Sequence, residues 1–331
     1  MQELTRSGSR VAPSAAKRRL WNQSAITSYG AAVPLAVLIV VLALASPYFL
    51  TLVNIRNILL QSAILGVLAF GLTVALIAEE IDLSIGAVEG LTAVFAAILC
   101  IQLGVPWPVG ALLAVLAGFL IGYANGVMTT VLDIPSFIVT LGTLGIASGV
   151  SLRLTDGNSI SGFPAGYVVI GRGSLFGVPL STIALFVLFL IIWFLLRWTR
   201  WGLRLYATGG NAAAAAELGL SPARLKTLAL AISGACAGIA GVLISARLNS
   251  ANGSLGQFDL LDAIAAVVIG GTSLTGGRGS ILGTLFGVLI MVIIRNGLDL
   301  LGVSPFWQTA AVGAMILIAA ILHKFAARLG S

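Results

Sequence analysis

Charge is what this chain has least of. Asp, Glu, Lys and Arg make up 9% of its 331 residues, where a soluble domain carries about 25%. So few charges cannot cover a water-facing surface of that size, which excludes a soluble globular enzyme. Histidine occurs once, as His323, at the end of the last apolar run, where it offers no catalytic pair. Cysteine occurs twice, and Cys100 and Cys236 both fall inside apolar runs. They read as small packing residues, not as a disulfide or a metal pair. No glycine-rich loop ends in Lys-Ser/Thr, and Gly276-Gly277-Arg278-Gly279 lacks the lysine. The chain therefore carries no site of its own for nucleotide, metal or other cofactor, and no constellation for Ser/His/Asp chemistry. Barrel strands would alternate polar and apolar residues, and runs such as Ile183 to Leu196 do not.

What is abundant is apolar. Hydrophobic residues make up 59%, and mean hydropathy is +1.08. At roughly 20 residues per spanning helix, the chain reads as an all-α polytopic membrane protein. Ten candidate segments stand out, at 31–50, 58–78, 84–104, 107–128, 134–152, 178–197, 227–247, 258–271, 280–297 and 305–323. The eighth is too short to cross unless tilted or broken. Residues 1–30 form a polar N-terminal tail, 31–325 the membrane domain and 326–331 a short C-terminal tail. Lys17-Arg18-Arg19, an apolar run and Ala43-Leu44-Ala45 imitate a cleaved signal. The polar lead is long for one, so the first segment is expected to be an uncleaved anchor.

Orientation follows from the basic residues. With ten spans and the N-terminus inside, 13 of the 18 Lys and Arg fall on the inner side, leaving Arg56, Arg153, Arg172, Arg247 and Arg295 outside. This matches the positive-inside rule. It puts both termini and the loop 198–226 in the cytoplasm and makes the net charge of +7 a topology signal, not a nucleic-acid footprint. Small residues repeat at four-residue spacing in Gly118/Gly122/Gly126, Gly145/Gly149, Gly234/Gly238 and Gly283/Gly287, a pattern that lets helices approach closely in lipid.

The loop from Trp198 to Lys226 is polar and basic in an otherwise apolar chain. It holds a bounded helix signal: Asn211 as N-cap, the run Ala212 to Leu218, then Gly219 as stop. Ser221-Pro222 opens the next helix in cap-then-proline style. Such a helix is either an amphipathic connector or a docking element for a soluble partner, with Ala212, Ala215, Glu217 and Leu218 as its contact residues.

Two membrane segments look interrupted. Ala75 to Phe95 and Ala266 to Phe286 align without gaps, so that Leu83 meets Leu274, Ser84 meets Thr275 and Gly86 meets Gly277. A weaker echo pairs Pro135-Ser136-Phe137 with Ser304-Pro305-Phe306. Paired interruptions in two halves point to a transport pathway, because irregular backbone at membrane depth survives only inside protein or along a wet cavity. Candidate pathway residues are Glu79, Glu80, Asp82, Ser84, Asp262, Thr272, Ser273 and Thr275. Glu79-Glu80 either sits solvated at the inner interface or lies within the pathway, Asp262 at the lip of the second patch shares that ambiguity, and Asp82 reads as the N-cap of the helix resuming at Ser84.

These residues carry a family resemblance. Glu79 to Gly86, EEIDLSIG, is similar to the GGIDLSVG segment of the bacterial ribose-type permeases, the membrane subunits of carbohydrate ABC importers. The run from Asp262 to Leu274, DAIAAVVIGGTSL, resembles that family's block almost letter for letter. Ala207 to Asn211 with the alanines and Gly219 resembles its cytoplasmic coupling segment, and Asn296-Gly297 to Gln308 resembles a further stretch. The resemblance spans about residues 30 to 325. It implies a binding-protein-dependent importer of a sugar or related polar molecule in the bacterial inner membrane. Its partners would be an ATP-binding cassette subunit that docks at Asn211 to Gly219, a periplasmic sugar-binding protein and a second permease copy. One departure is plain: the family's Gly-Gly is Glu79-Glu80 here, whereas Gly270-Gly271 keep the glycines. The rival from another class is an ion-coupled secondary transporter using Glu79, Glu80 and Asp82.

Overall fold

Thr51 starts the central helix, its hydroxyl accepting from the Asn54 amide. In the computed structural model, which describes residues 32–315 and 317, the helices run in chain order as α1 (Ala32–Ala45), α2 (Leu52–Ile77), α3 (Ile85–Ala97), α4 (Trp107–Val131), α5 (Ser136–Thr155), α6 (Ala165–Arg172), α7 (Leu180–Trp198), α8 (Arg200–Gly210), α9 (Ala212–Glu217), α10 (Pro222–Leu248), α11 (Asp259–Ile269) and α12 (Ile281–Leu300). A π-helical turn, Ile98–Gln102, extends α3, and residues 305–315 are again helical. The only strand pairing among the described residues is in two-residue ladders, such as Ile160 opposite Ala251. The all-α polytopic class holds.

The span count does not. Among the described residues, seven helices are long and apolar enough to cross a membrane: α2, α3 with its extension, α4, α5, α7, α10 and α12. The first candidate is only the 14 residues of α1, about 21 Å of helix. The eighth is the 11 residues of α11, which stops at Gly270 because the chain turns there. The tenth, 305–323, leaves the described residues before its end. The tails 1–30 and 326–331 and His323 also lie outside them.

Packing explains where the glycines went. Antiparallel α4 and α10 lie backbone to backbone, with Gly118 and Gly122 against Gly234 and Gly126 against Thr227. Gly283 and Gly287 likewise receive Gly270 and Ala266. Gly145 and Gly149 have nothing within 4 Å and face outward, so that pair does not pack within this chain. Helix α2 is buried along most of its length, and polar bonds at two levels fix α12 against it. Asn54 and Asn296 exchange amide bonds at 2.8 and 2.7 Å, and Thr73 meets Thr284 at 2.7 Å. Apolar surface on α4, α5 and α7, including Leu112, Leu141 and Phe186, is left open, as a lipid-facing rim requires. Cys100 and Cys236 are both buried and unpaired. Near the far end of α10, Arg172 donates to the carbonyls of Arg247 and Leu248 at 2.7 and 3.1 Å, closing that terminus.

Candidate functional site

Two interrupted segments meet at one patch. Helix α2 ends in a left-handed turn at Glu79 (φ 67°), with the Glu80 amide bonding back to the Ala75 carbonyl at 3.0 Å. Helix α11 ends in the same motif, with Gly271 at φ 83° and Thr272 bonding back to Val267 at 3.2 Å. The motifs therefore match Glu79 to Gly271, one residue off the gapless alignment, which pairs Glu79 with Gly270. The second break also runs longer: α3 restarts at Ile85, α12 only at Ile281. Ser84 and Thr275 are therefore not equivalent positions. Both helices point their C-termini at the same place, and the Gly277 amide donates to the Ile77 carbonyl at 3.0 Å.

The first break is fastened by side chains. Lys226, one turn into α10, reaches Glu80 Oε1 at 2.7 Å and Glu79 Oε2 at 3.6 Å. Glu80 is buried and Glu79 half-exposed, so the two carboxylates share a cation at the foot of α10. Asp82 is not an N-cap. Its Oδ1 accepts from the amide and hydroxyl of Ser84 at 2.9 and 2.6 Å, and its Oδ2 from Ser233 of α10 at 2.6 Å. Ser84 holds the N-cap position but makes no side-chain cap bond. Asn125 then donates to Ser84 at 3.2 Å and accepts from Thr143 at 2.6 Å, joining α4 and α5 to the same node. Ser136 and Thr140 of α5 accept from the amides of Ile81 and Leu83 at 3.0 and 3.1 Å. The amides of Ile81, Leu83 and Ser84 thus each find a side-chain partner inside protein, as membrane depth demands.

In the second break, the Ser273 hydroxyl meets that of Thr275 at 2.9 Å, and the Ser273 amide donates to the Arg278 carbonyl at 2.9 Å. Thr272 is buried with its hydroxyl unpartnered, while Thr275 is exposed. Asp262 does not lie at the lip of this break. It sits in the first turn of α11, two turns earlier, and pairs with Arg295 of α12 at 2.7 Å.

The polar loop reaches both breaks. Gly209, near the end of α8, lies directly on the Ile77 carbonyl and within reach of the Gly277 amide, and Gly276 lies on the Gly209 carbonyl and Glu79. Tyr206 donates to the Gly279 carbonyl at 2.8 Å. Burial pushes its phenol up to about 12, so it stays a donor at any physiological pH. Next along the chain, Asn211 caps α9 by accepting from the Ala214 amide at 2.9 Å. Ala212 opens that helix and Ala215 is buried beneath it, while Glu217 and Leu218 stand out, Leu218 at 81% exposure. Gly219 takes φ 76° as the stop. Pro222 opens α10, although the Ser221 side chain makes no cap bond.

A cavity of ≈ 260 Å³ opens between α3, α5 and the segment before α11, with Ser148, Ser254 and Gln257 as its polar lining. None of the eight candidate pathway residues lines it. The residues alone did not single out Gly209, Ser233, Asn125, Lys226 or Glu89 as parts of the site. Only the last two carried a signal: Glu89 is a lone carboxylate in an apolar helix, the type that merits suspicion by default, and Lys226 stands at the mouth of a spanning segment.

The chain matches the family model described as "branched-chain amino acid transport system / permease component" over residues 54–320. It is 39% identical over 310 residues to the ribose import permease protein of Bacillus subtilis, covering 93% of this chain and 96% of the relative. To the ribose import permease protein of Escherichia coli K12 it is 38% identical over 318 residues, covering 93% and 97%. The D-allose transport system permease protein of the same strain is 36% identical over 297 residues, covering 89% and 91%. No solved structure matches.

Proposed function

The chain belongs to the branched-chain amino acid transport system / permease component family, and on that premise we propose that it is the membrane subunit of an ATP-driven sugar importer. The cargo class comes from relatives matched over nearly their whole length, which are named as ribose and D-allose permeases. The subunit is a multi-pass protein of the inner membrane and is not itself an enzyme; ATP hydrolysis belongs to a separate cassette subunit, and cargo arrives on a periplasmic binding protein. The ion-coupled alternative is set aside, because the family is one of ABC permeases. The carboxylates it needed are also engaged with Lys226, Ser84 and Ser233.

The finer reading concerns coupling. Both termini and the loop 198–226 face the cytoplasm, two copies of the chain form the pathway, and the ATPase seats on Asn211, Ala212, Ala215, Glu217, Leu218 and Gly219. The observation that carries it is Gly209: the helix beside the exposed α9 touches both breaks at once, so a push on α9 reaches the membrane interior through backbone contacts. Glu79, Glu80, Asp82, Ser84, Thr272, Ser273 and Thr275 then fasten and flank the moving joint, and Asp262 braces α11 against α12.

Replacing Glu217 with Arg reverses a charge on the exposed face, and replacing Gly219 with Val forces a β-branched residue into a left-handed turn. Each variant is expected to lose copurification of the cassette subunit, or cargo-stimulated ATP hydrolysis, by at least tenfold while the permease stays folded. Normal copurification and normal hydrolysis in both variants would remove α9 from the coupling route.

A further inference from the structure

Helix α11 is half a span. Its 11 residues cover about 16 Å, and its C-terminus meets that of the full span α2, where the Gly277 amide donates to the Ile77 carbonyl. A hydrocarbon core is about 30 Å thick, so the chain enters α11 near mid-membrane. Residues 252–258, which lead into α11, form no helix or strand. Irregular backbone at that depth survives only inside protein or along a wet cavity.

The segment has both. Its carbonyls at Gly256 and Leu255 lie directly on Gly86 and Gly90 of α3, and Gly253 lies on the backbone of Leu152 in α5. Its free side, with Ser254 and Gln257, lines the cavity of ≈ 260 Å³. None of the residues lining that cavity is charged. The Ser254 hydroxyl donates to Asn252 Oδ1 at 3.0 Å and keeps its lone pairs. The side chains of Ser148 and Gln257 bond to nothing else among the described residues. The walls thus offer a hydroxyl, an oxygen acceptor, and a carboxamide with two donors and one acceptor, set among Leu144, Leu152, Leu255 and Leu260.

Neutral groups that donate and accept side by side match the hydroxyls of a sugar ring, and the leucines match its C–H faces. They do not match an amino acid, whose carboxylate and ammonium would be buried without an opposite charge. The volume lies just under the roughly 300 Å³ at which small-molecule pockets begin, which suits one monosaccharide. Taking the chain as a sugar-importer subunit, we propose that this cavity is a cargo site at mid-membrane. It holds one neutral monosaccharide through Ser148, Ser254 and Gln257, and it turns zwitterionic amino acids away. Three hydrogen-bonding side chains make a weak site, as a conduit needs if its cargo is to leave again.

The test reads protection of the cavity wall. In the full chain with Cys100 and Cys236 replaced by alanine, Leu144→Cys and, separately, Leu152→Cys are labelled in liposomes by a hydrophilic thiol reagent. Both thiols are expected to react, because the cavity is wet. D-Ribose or D-allose, at several times a millimolar Kd, should slow both reactions about fivefold, the factor by which occupancy depletes the open site. L-Leucine at the same concentration should leave them unchanged. Phe176→Cys, 98% exposed and outside the cavity, should label alike under all conditions. Adding Ser148→Ala with Gln257→Leu should abolish the protection. Inert thiols at both positions, protection by neither sugar, equal protection by leucine, or protection that survives the double substitution would each overturn the proposal. Uptake by the full assembly separates the two possible failures. Sugar accumulation without protection removes only this site, whereas accumulation of leucine and of no sugar removes the sugar-importer reading as well.

Discussion

Gly209→Ala is expected to cut ATP-driven uptake at least tenfold while leaving the cassette subunit bound. A methyl group at this position has backbone on both sides: the Ile77 carbonyl, and the Gly277 amide at 2.9 Å. Those two groups are bonded to each other at 3.0 Å, so the added carbon must part the breaks or lift α8 away from them. Neither neighbour is a flexible side chain that can swing aside. Overpacking of this kind costs about 1–3 kcal/mol, which a membrane core tied together by α2, α10 and α12 tolerates without unfolding. The lost quantity is transmission, since α8 is the element that touches both breaks and leads into α9. Gly210, one residue on, has nothing within 4 Å, and Gly210→Ala is the matched control that should transport like the parent. Uptake within twofold of the parent in Gly209→Ala would show that the joint is not under load.

Lys226→Met is expected to destabilise the permease by about 3 kcal/mol, the cost of stranding one partner of a buried ion pair. The stranded group is Glu80, whose side chain is only 4% exposed. Glu80→Gln leaves Lys226 with the half-exposed Glu79 at 3.6 Å and should cost less, because that weaker pair is partly solvated. The double variant Glu80→Met, Lys226→Met should recover most of the loss, since it leaves no buried charge unpaired and Glu79 is half-exposed to solvent. Denaturant titration of the detergent-solubilised protein measures all three. If the double variant loses as much as the two singles added together, the pair does not couple the first break to α10.

Much of this molecule is legible in its residues alone. The shortage of charge sets the class, and the capping logic of Asn211 and Gly219 locates α9 to within a residue, because caps are local chemistry. Both interruptions are visible as polar patches in apolar runs. What each patch touches is not legible in the same way. Asp82 looks like a helix cap by position, yet Ser233, a partner 151 residues away, claims its second oxygen. Glu79-Glu80 looks self-repelling until Lys226 is folded against it. The gapless echo between the halves is off by one at the left-handed turn, since an alignment without gaps cannot show that one break is longer than the other. Gly145 and Gly149 match the close-packing pattern as well as Gly234 and Gly238 do, but only the second pair has a helix to meet. The span count falls short for a related reason: α1 and α11 have the right composition at less than full length.

This chain is proposed to act as a conduit driven from outside itself. The most direct test of that role is uptake of a labelled pentose or hexose into vesicles holding the purified chain. The chain is measured alone with an imposed proton or sodium gradient, then with its cassette subunit, binding protein and ATP. No accumulation is expected by the chain alone under either gradient, whereas the full assembly should accumulate sugar and stop when ATP is replaced by a non-hydrolysable analogue. Gradient-driven accumulation by the chain alone would contradict it.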